Sequence, residues 1–406
     1  MSVGADAARR PAAAGTLGAR LGAATAGLAA PLVVVDLDAF DANADDLVRR
    51  AGGVPVRVAT KSVRVRALLD RALAHPGTAG VMAYSPAEAR HLVDHGVDDV
   101  LLGYPTVDRA GIAAVASSPA AASAVTFMVD DDAQAAPLAD AARRHGGTLG
   151  VCLDVDASLR VGRGPLALHL GVRRSPVRTP ADAVALVRAL TARDGLAVRG
   201  VMLYEAQVAG MPDTDPLVRL VKRASVAELA HRRRDVVDAV EQELGRALPL
   251  VNSGGTGSLE TSAPAARVTE VTAGSGLLAP TLFDDYRAFT PRPAAFVGLD
   301  VVRVPGPGWA TVTGGGWVAS GPAARSRLPR PVAPAGLRLA GREGAGEVQT
   351  PLRVPTGADL RVGDRVWFRH AKAGEVMEHV DHVHLVRGDR VEATVPTYRG
   401  EGVGIG

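Results

Sequence analysis

The sequence predicts an α/β protein, a (β/α)8 barrel of the TIM type followed by a smaller β-domain. Three observations carry this. Eight short apolar segments recur between residues 54 and 274, and stretches with helical spacing fill most of the gaps between them. These segments lack the polar alternation of a sheet with one wet face, as expected when helices cover a parallel sheet. Beyond about residue 291 the helical spacing stops, glycine and proline become dense, and short strand-like pieces recur with turns between them. A doubly wound open sheet is the competing arrangement, disfavoured because no GxGxxG follows a first strand.

Taken in order, residues 1–30 form an arm. Arg9 and Arg10 precede small residues, but Arg20 interrupts the stretch and its apolar content is too weak for an export signal, so the arm is expected to lead into a short helix. Residues 32–36 (LVVVD) read as a strand and 37–50 as a helix. Barrel strands follow at 54–60, 80–84, 99–103, 124–129, 149–155, 198–204, 248–252 and 270–274. Ser85 and Pro86 are suited to the N-cap and first turn of the helix after the second of these. Residues 169–178 (HLGVRRSPVR) form a basic loop after the fifth. The domains are therefore residues 31–290, the barrel, and 291–406, the β-domain, which the early strand at 32–36 is expected to join.

Composition excludes several classes of function. The 46 basic and 43 acidic residues nearly balance, and no basic run is interleaved with aromatics, so nucleic acid is not an expected partner. No apolar run reaches the length of a membrane span. Cys152 is the single cysteine, which rules out an intramolecular disulfide or a cysteine-based metal site within one chain and fits a reducing cytoplasm.

Lys61 closes the first barrel strand, placing an amine at the strand's carboxyl end, where such folds gather reactive groups. A solvated or paired surface lysine is the plain alternative. The seventh strand ends in NSGGTG, where Ser253, Gly254, Gly255 and Thr256 make a turn whose N–H groups and hydroxyls suit an anion, phosphate above all. Gly274 and Ser275 offer a second small-residue turn on the same rim. Arg160, after the fifth strand, and Tyr204, ending the sixth ahead of Glu205 and Gln207, would line the same mouth. A capping arginine and a partly buried tyrosine are their structural alternatives.

Together these residues resemble the fold-type III pyridoxal-phosphate enzymes, the alanine racemase class. PLVVVDLDAFDAN, RVATKSVR, VMLYEAQ, VNSGGTGS, FRHAKAGE and VPTYRGEG are most similar to its D-threonine aldolase and D-serine dehydratase branch, including bacterial amino acid deaminase/aldolase chains. The resemblance implies a homodimeric lyase that holds pyridoxal 5'-phosphate as an imine on Lys61. Ser253, Gly254, Gly255, Thr256, Gly274 and Ser275 would cradle the phosphate, Tyr204 would lie near the ring, and Arg160 near the imine or ring hydroxyl. The implied substrate is a small β-hydroxy D-amino acid, undergoing retro-aldol cleavage or dehydration. An amino acid racemase is the alternative enzyme, and a pyridoxal-phosphate carrier the non-catalytic alternative, against which the β-domain argues.

The late RHAK segment bears on the subclass. Members of the branch carry a metal-binding His followed two residues later by Asp or Cys; here His370 is followed by Lys372. A protonated lysine repels a divalent cation, so no metal is expected there. Lys372 would supply part of a metal's electrostatic work, with His370 as the base at the β-hydroxyl. The HVDHVH run at 379–384 looks like a metal cluster, but a strand would split it between two faces. Glu343, Glu347, Tyr398, Arg399 and Glu401 resemble family segments near the site, with solvated turns as the alternative.

Overall fold

The computed structural model describes residues 14–162 and 168–403; Arg9 and Arg10 lie outside them. Strand β1 (Leu32–Asp36) precedes the barrel. The barrel strands are β2 (Val56–Ala59), β3 (Thr78–Ala83), β4 (Val100–Leu102), β5 (Val125–Val129) and β6 (Leu149–Asp154). A short antiparallel hairpin of β7 (Leu159–Val161) and β8 (Leu168–Leu170) comes next, then β9 (Leu196–Leu203), β10 (Leu250–Ser253) and β11 (Glu270–Ala273) complete the barrel. The eight barrel strands pair in parallel and close between β11 and β2. The expected strand order is therefore the observed one, and closure rather than an open sheet is the outcome.

Local chemistry explains where the helices begin. The side chain of Asp36 accepts from the N–H of Ala39 to start Leu37–Arg50, and Ser85 accepts from the N–H of Glu88 with Pro86 in the first turn. Thr179 and Asp182 form a capping box ahead of Pro180–Thr191. The long helix Pro216–Leu244 ends on Gly245 in the left-handed conformation.

Strand parity decides what fills the barrel. Leu101, Met128, Cys152 and Met202 form a buried cluster with Met82, Tyr204 and Leu250 packed against it. A polar ladder runs beside it. Arg57 clasps Glu270 through Nε and Nη2, at 2.6 and 2.7 Å, and Asp99 at 2.8 Å; Asn252 donates to Glu270 and to the Thr272 hydroxyl, each at 2.7 Å. These carboxylates hold the Arg57 guanidinium above its ordinary range against the cost of burial. Arg57 on β2 points into the barrel, and Lys61, two residues past the end of that strand in the turn that follows, stands at the barrel's mouth.

The second domain is a nine-stranded sheet of β1, β12 (Ala295–Gly306), β13 (Trp309–Thr313), β14 (Arg330–Ala333), β15 (Arg338–Leu339), β16 (Gln349–Arg353), β17 (Arg365–Arg369), β18 (His382–Arg387) and β19 (Arg390–Pro396). Strand β1 lies within it, antiparallel to β12 and parallel to β18. The arm helix Ala14–Ala24 buries Leu21 against Leu32, Val34, Phe296, Ala333, Trp367 and Val386, and Arg20 pairs with Asp36. The chain thus visits this sheet before it builds the barrel and returns afterwards, so the two units are tied by the whole barrel's length of sequence. No described helix is long and apolar enough to cross a membrane.

Candidate active site

A cavity of about 360 Å³ opens at the carboxyl ends of the barrel strands. Lys61, Tyr204, Gly254, Gly255, Thr256, Gly274 and Ser275 all line it, together with Asn252 and Thr272 from the top of the polar ladder. Leu282, Phe283, Arg327, Lys372 and Ala373 line its outer part. The β-domain therefore supplies part of the wall, through Arg327, Lys372 and Ala373.

Lys61 lies in a single 3-10 turn, Thr60–Ser62, immediately after β2. Its Nζ donates to the hydroxyl of Tyr104 and sits 5.1 Å from the centre of that ring. Tyr104, in the loop after β4, was not among the residues expected at the site. A tyrosine in the motif LLGYP carries no spacing signal, and only barrel closure sets it beside the lysine. Burial pushes the Tyr204 hydroxyl up to about 12, with Glu205 adding to the effect and Arg174 opposing it, so this phenol stays protonated at neutral pH.

On the opposite rim, Thr256 accepts from the N–H of Gly276 at 3.1 Å, and Ser275 donates to Thr256 at 3.5 Å. Gly254 adopts φ of +85°, which favours glycine. Gly274 passes so close to β2 that a Cβ would lie 2.5 Å from the Ala59 carbonyl oxygen. Two amides do not converge on a guest as expected. The N–H of Gly254 donates to Glu205 at 3.3 Å and that of Gly255 to Ser258 at 3.1 Å. The N–H groups of Thr256, Gly274 and Ser275 have no acceptor among the described residues, so these, with the hydroxyls of Thr256 and Ser275, are left for an anion. A primary amine facing a hydroxyl-lined turn of small residues fits a phosphorylated aldehyde.

Three expected residues are placed elsewhere. Ser253 ends β10 with the parity opposite to Asn252, so its hydroxyl points away from the cavity. Its single O–H faces the Leu203 carbonyl at 2.8 Å and the Glu205 carboxylate at 2.9 Å, and its oxygen accepts from Arg233 of the long helix at 2.9 Å. Glu205 is the hub of this layer, accepting also from Ser258 and Ser262, and it anchors the turn from behind. Arg160 sits on β7 with a side chain 45% exposed and bonds Asp156 at 2.8 Å; it does not line the cavity. The arginine of this stretch that does is Arg174, on the basic loop that follows the hairpin, with its guanidinium 5.7 Å from the Tyr104 ring centre and 5.5 Å from that of Tyr204.

His370 is the third. It follows β17 directly, is buried outside the cavity lining, and its Nε2 has no hydrogen-bond partner. Burial, then the neighbouring Arg369, depress it to about 3, so the ring is neutral across the physiological range. Lys372, two residues on, does reach the cavity, and its Nζ donates to the carbonyl and hydroxyl of Ser320 at 3.3 Å each. Burial, then Arg327, push its ammonium below the usual range.

The other flagged residues stand back from the cavity. Tyr398 is fully buried, and its N–H donates to the Arg64 carbonyl at 2.9 Å; Glu401 pairs with Arg66 at 2.9 Å and His91 at 3.1 Å. These contacts clasp the segment just after Lys61. Arg399 bonds Asp381, Glu343 lines a separate groove, and Glu347 lines neither. In the 379–384 run, His384 bonds Thr394 at 2.8 Å while the His379 ring lies tilted against Trp317, 6.1 Å between centres. No group of three or more His, Cys, Asp or Glu side chains suited to a metal ion occurs among the described residues.

The model of the alanine racemase N-terminal domain matches residues 35–280. A 3-hydroxy-D-aspartate aldolase of Paracoccus denitrificans (strain Pd 1222) is 28% identical over 233 residues, 56% of this chain and 54% of that protein. The chain thus spans about half the length of the curated relatives it matches. Among solved structures, D-threonine aldolase from Filomicrobium marinum superposes with a TM-score of 0.77 at 24% identity, covering 92% of this chain and 96% of that one. D-threo-3-hydroxyaspartate dehydratase from Delftia sp. HT23 gives 0.70 at 20% identity, covering 91% and 98%. These structures share the barrel and β-domain fold.

Proposed function

The chain belongs to the alanine racemase N-terminal-domain family, and from that premise we propose that it is a pyridoxal-phosphate-dependent lyase acting on small β-hydroxy D-amino acids, by retro-aldol cleavage or dehydration. The observation that carries the reading is the Lys61 amine, held against Tyr104 in a cavity whose far rim is the Thr256 and Ser275 turn. The names of the aldolase and dehydratase relatives support the substrate class.

Lys61 would hold the cofactor, Thr256, Gly274 and Ser275 its phosphate, with Gly254 and Gly255 keeping that wall open, and Tyr204 and Arg174 its ring. Bound pyridoxal phosphate supplies a sink for the electron pair released at Cα. Lys61, donating to the Tyr104 hydroxyl, would hold or return a proton at Cα. Lys372 faces the cavity from the β-domain, where its ammonium would stabilise the negative charge that develops on the β-oxygen as its proton leaves to water. In cleavage the β O–H and Cα–Cβ bonds break, an aldehyde leaves, and Cα is reprotonated. In dehydration the Cα–H and Cβ–O bonds break and water leaves. His370 has no part in this reading, because its ring lies outside the cavity. No metal is assigned either; elemental analysis finding one tightly held zinc or manganese per chain would overturn that.

The reading includes a homodimer, which light scattering tests, in a reducing cytoplasm, which the lone buried Cys152 suits. The deciding experiment has two parts. The purified protein loaded with pyridoxal phosphate should show the cofactor's visible absorption, and Lys61→Ala should abolish it. Incubation with D-threonine, D-serine and their L-isomers should yield glycine, or ketoacid with ammonia, from the D-isomers. Loss of optical activity alone would make the protein a racemase, and colour without turnover a carrier.

A further inference from the structure

Charge at the cavity is of one sign. Lys61, Arg174, Arg327 and Lys372 line it, and among the described residues no aspartate or glutamate does. Like charges gathered in a partly desolvated space repel, and an anion placed among them relieves that cost. Two of the four already have companions: Lys61 has the Tyr104 hydroxyl, and Arg174 lies over two tyrosine rings. The other two, both from the β-domain, do not. The Nε of Arg327 is buried without an acceptor, and Lys372 reaches only Ser320. One segment ties them together, since the N–H of Ala319 donates to the Arg327 carbonyl at 2.9 Å while the adjacent Ser320 accepts from Lys372. The nearby carboxylate of Glu375 accepts from the N–H of Ser320 at 2.9 Å and lies outside the lining.

We infer that Arg327 and Lys372 form an anion subsite for a second carboxylate carried on the substrate's Cβ, so that the protein selects a β-hydroxy dicarboxylic amino acid over a neutral one. The inference rests on the lyase reading for the placement of Cβ. Such a carbon bears the hydroxyl and the carboxylate together, so the ammonium that faces the β-hydroxyl also meets the carboxylate. The guanidinium fork adds two parallel N–H donors, a geometry suited to a planar carboxylate. A substrate with a methyl group or hydrogen there would leave both cations unpaired, and the discrimination comes from that loss.

The test is calorimetric titration of the pyridoxal-phosphate-loaded protein with succinate and with butyrate. These four-carbon acids differ by one carboxylate and lack the amine that would react. Succinate should bind tighter by about 10-fold to 100-fold. Arg327→Gln and Lys372→Gln should each remove most of that preference, while Arg327→Lys, which keeps the charge, should retain part of it. Equal binding of the two acids, or a preference that survives both glutamine variants, overturns the subsite. So does loss of cofactor affinity in Arg327→Gln, which would give the guanidinium to the cofactor's phosphate. Failure of the lyase reading looks different: a succinate preference in a protein that converts no β-hydroxy amino acid leaves the subsite standing. Conversely, D-threonine and 3-hydroxy-D-aspartate turned over at one rate, in a ratio unchanged by Arg327→Gln, would remove the subsite and leave the lyase.

Discussion

Gly274→Ala probes the closest approach in the site. The added Cβ would lie 2.5 Å from the Ala59 carbonyl oxygen, 2.9 Å from Ala59 Cβ and 3.1 Å from Ser62 Cβ. A carbon and a carbonyl oxygen rest at about 3.3 Å or more, so β2 and the turn after β11 must separate by roughly 0.8 Å. Neither side has a flexible side chain to give way, because the first obstacle is backbone. Overpacking of this kind costs about 1–3 kcal/mol. The functional effect is larger. Ala59 is two residues from Lys61, and Gly274 adjoins Ser275, so the clash pushes apart the amine and the hydroxyl turn that would share one cofactor. A misplacement near 1 Å costs about 100-fold in rate. Urea unfolding followed by circular dichroism measures the first effect, and pyridoxal phosphate titration with turnover of the best substrate measures the second. Gly147→Ala is the control, since a Cβ there meets nothing within 4 Å. Wild-type stability and cofactor affinity in Gly274→Ala would refute the argument; lost stability with unchanged affinity and rate would break the link between this contact and the placement of Lys61.

Glu205→Gln should destabilise the protein by about 3 kcal/mol in urea, because Arg233, 3% exposed, then loses the charge bridged to it through the Ser253 hydroxyl. A loss below about 1 kcal/mol would show that the carboxylate does not anchor the turn. His370 makes a pH prediction. Its pKa falls from 6.5 to about 3 on folding, so the stability it contributes is present above pH 6.5 and is lost as pH falls from there towards 3. The stability advantage of wild type over His370→Gln should therefore shrink between pH 7 and pH 4, and a difference that stays constant would contradict the burial of a neutral ring.

The barrel was legible because its strands are continuous apolar runs, and a run buried on both faces has few other places to go. Lys61 was legible because it follows such a run at its carboxyl end, where the mouth of a barrel lies; the 3-10 turn that holds it then sets where its amine points. Parity explains the error at Ser253, where attention to the whole NSGGTG turn passed over the alternation that sends Asn252 inward and Ser253 towards Arg233. Arg160 and Arg174 stand 14 residues apart in one basic stretch, and nothing local distinguishes them. The β7–β8 hairpin, invisible as a periodic pattern, holds the first beside Asp156, and the chain beyond it brings the second to the tyrosines.

Sequence by itself determined the barrel strands, the domain after them, the lysine past the first strand and the turns of small residues, because each is written in a strand or a few residues of one. Only the tertiary structure decided that Tyr104 is the partner of Lys61, that His370 is buried while Lys372 faces the cavity, and that four cations meet there without a carboxylate. Those facts join residues up to 311 positions apart, Lys61 to Lys372, and such distances are closed by packing the two domains together rather than by any local preference of the chain.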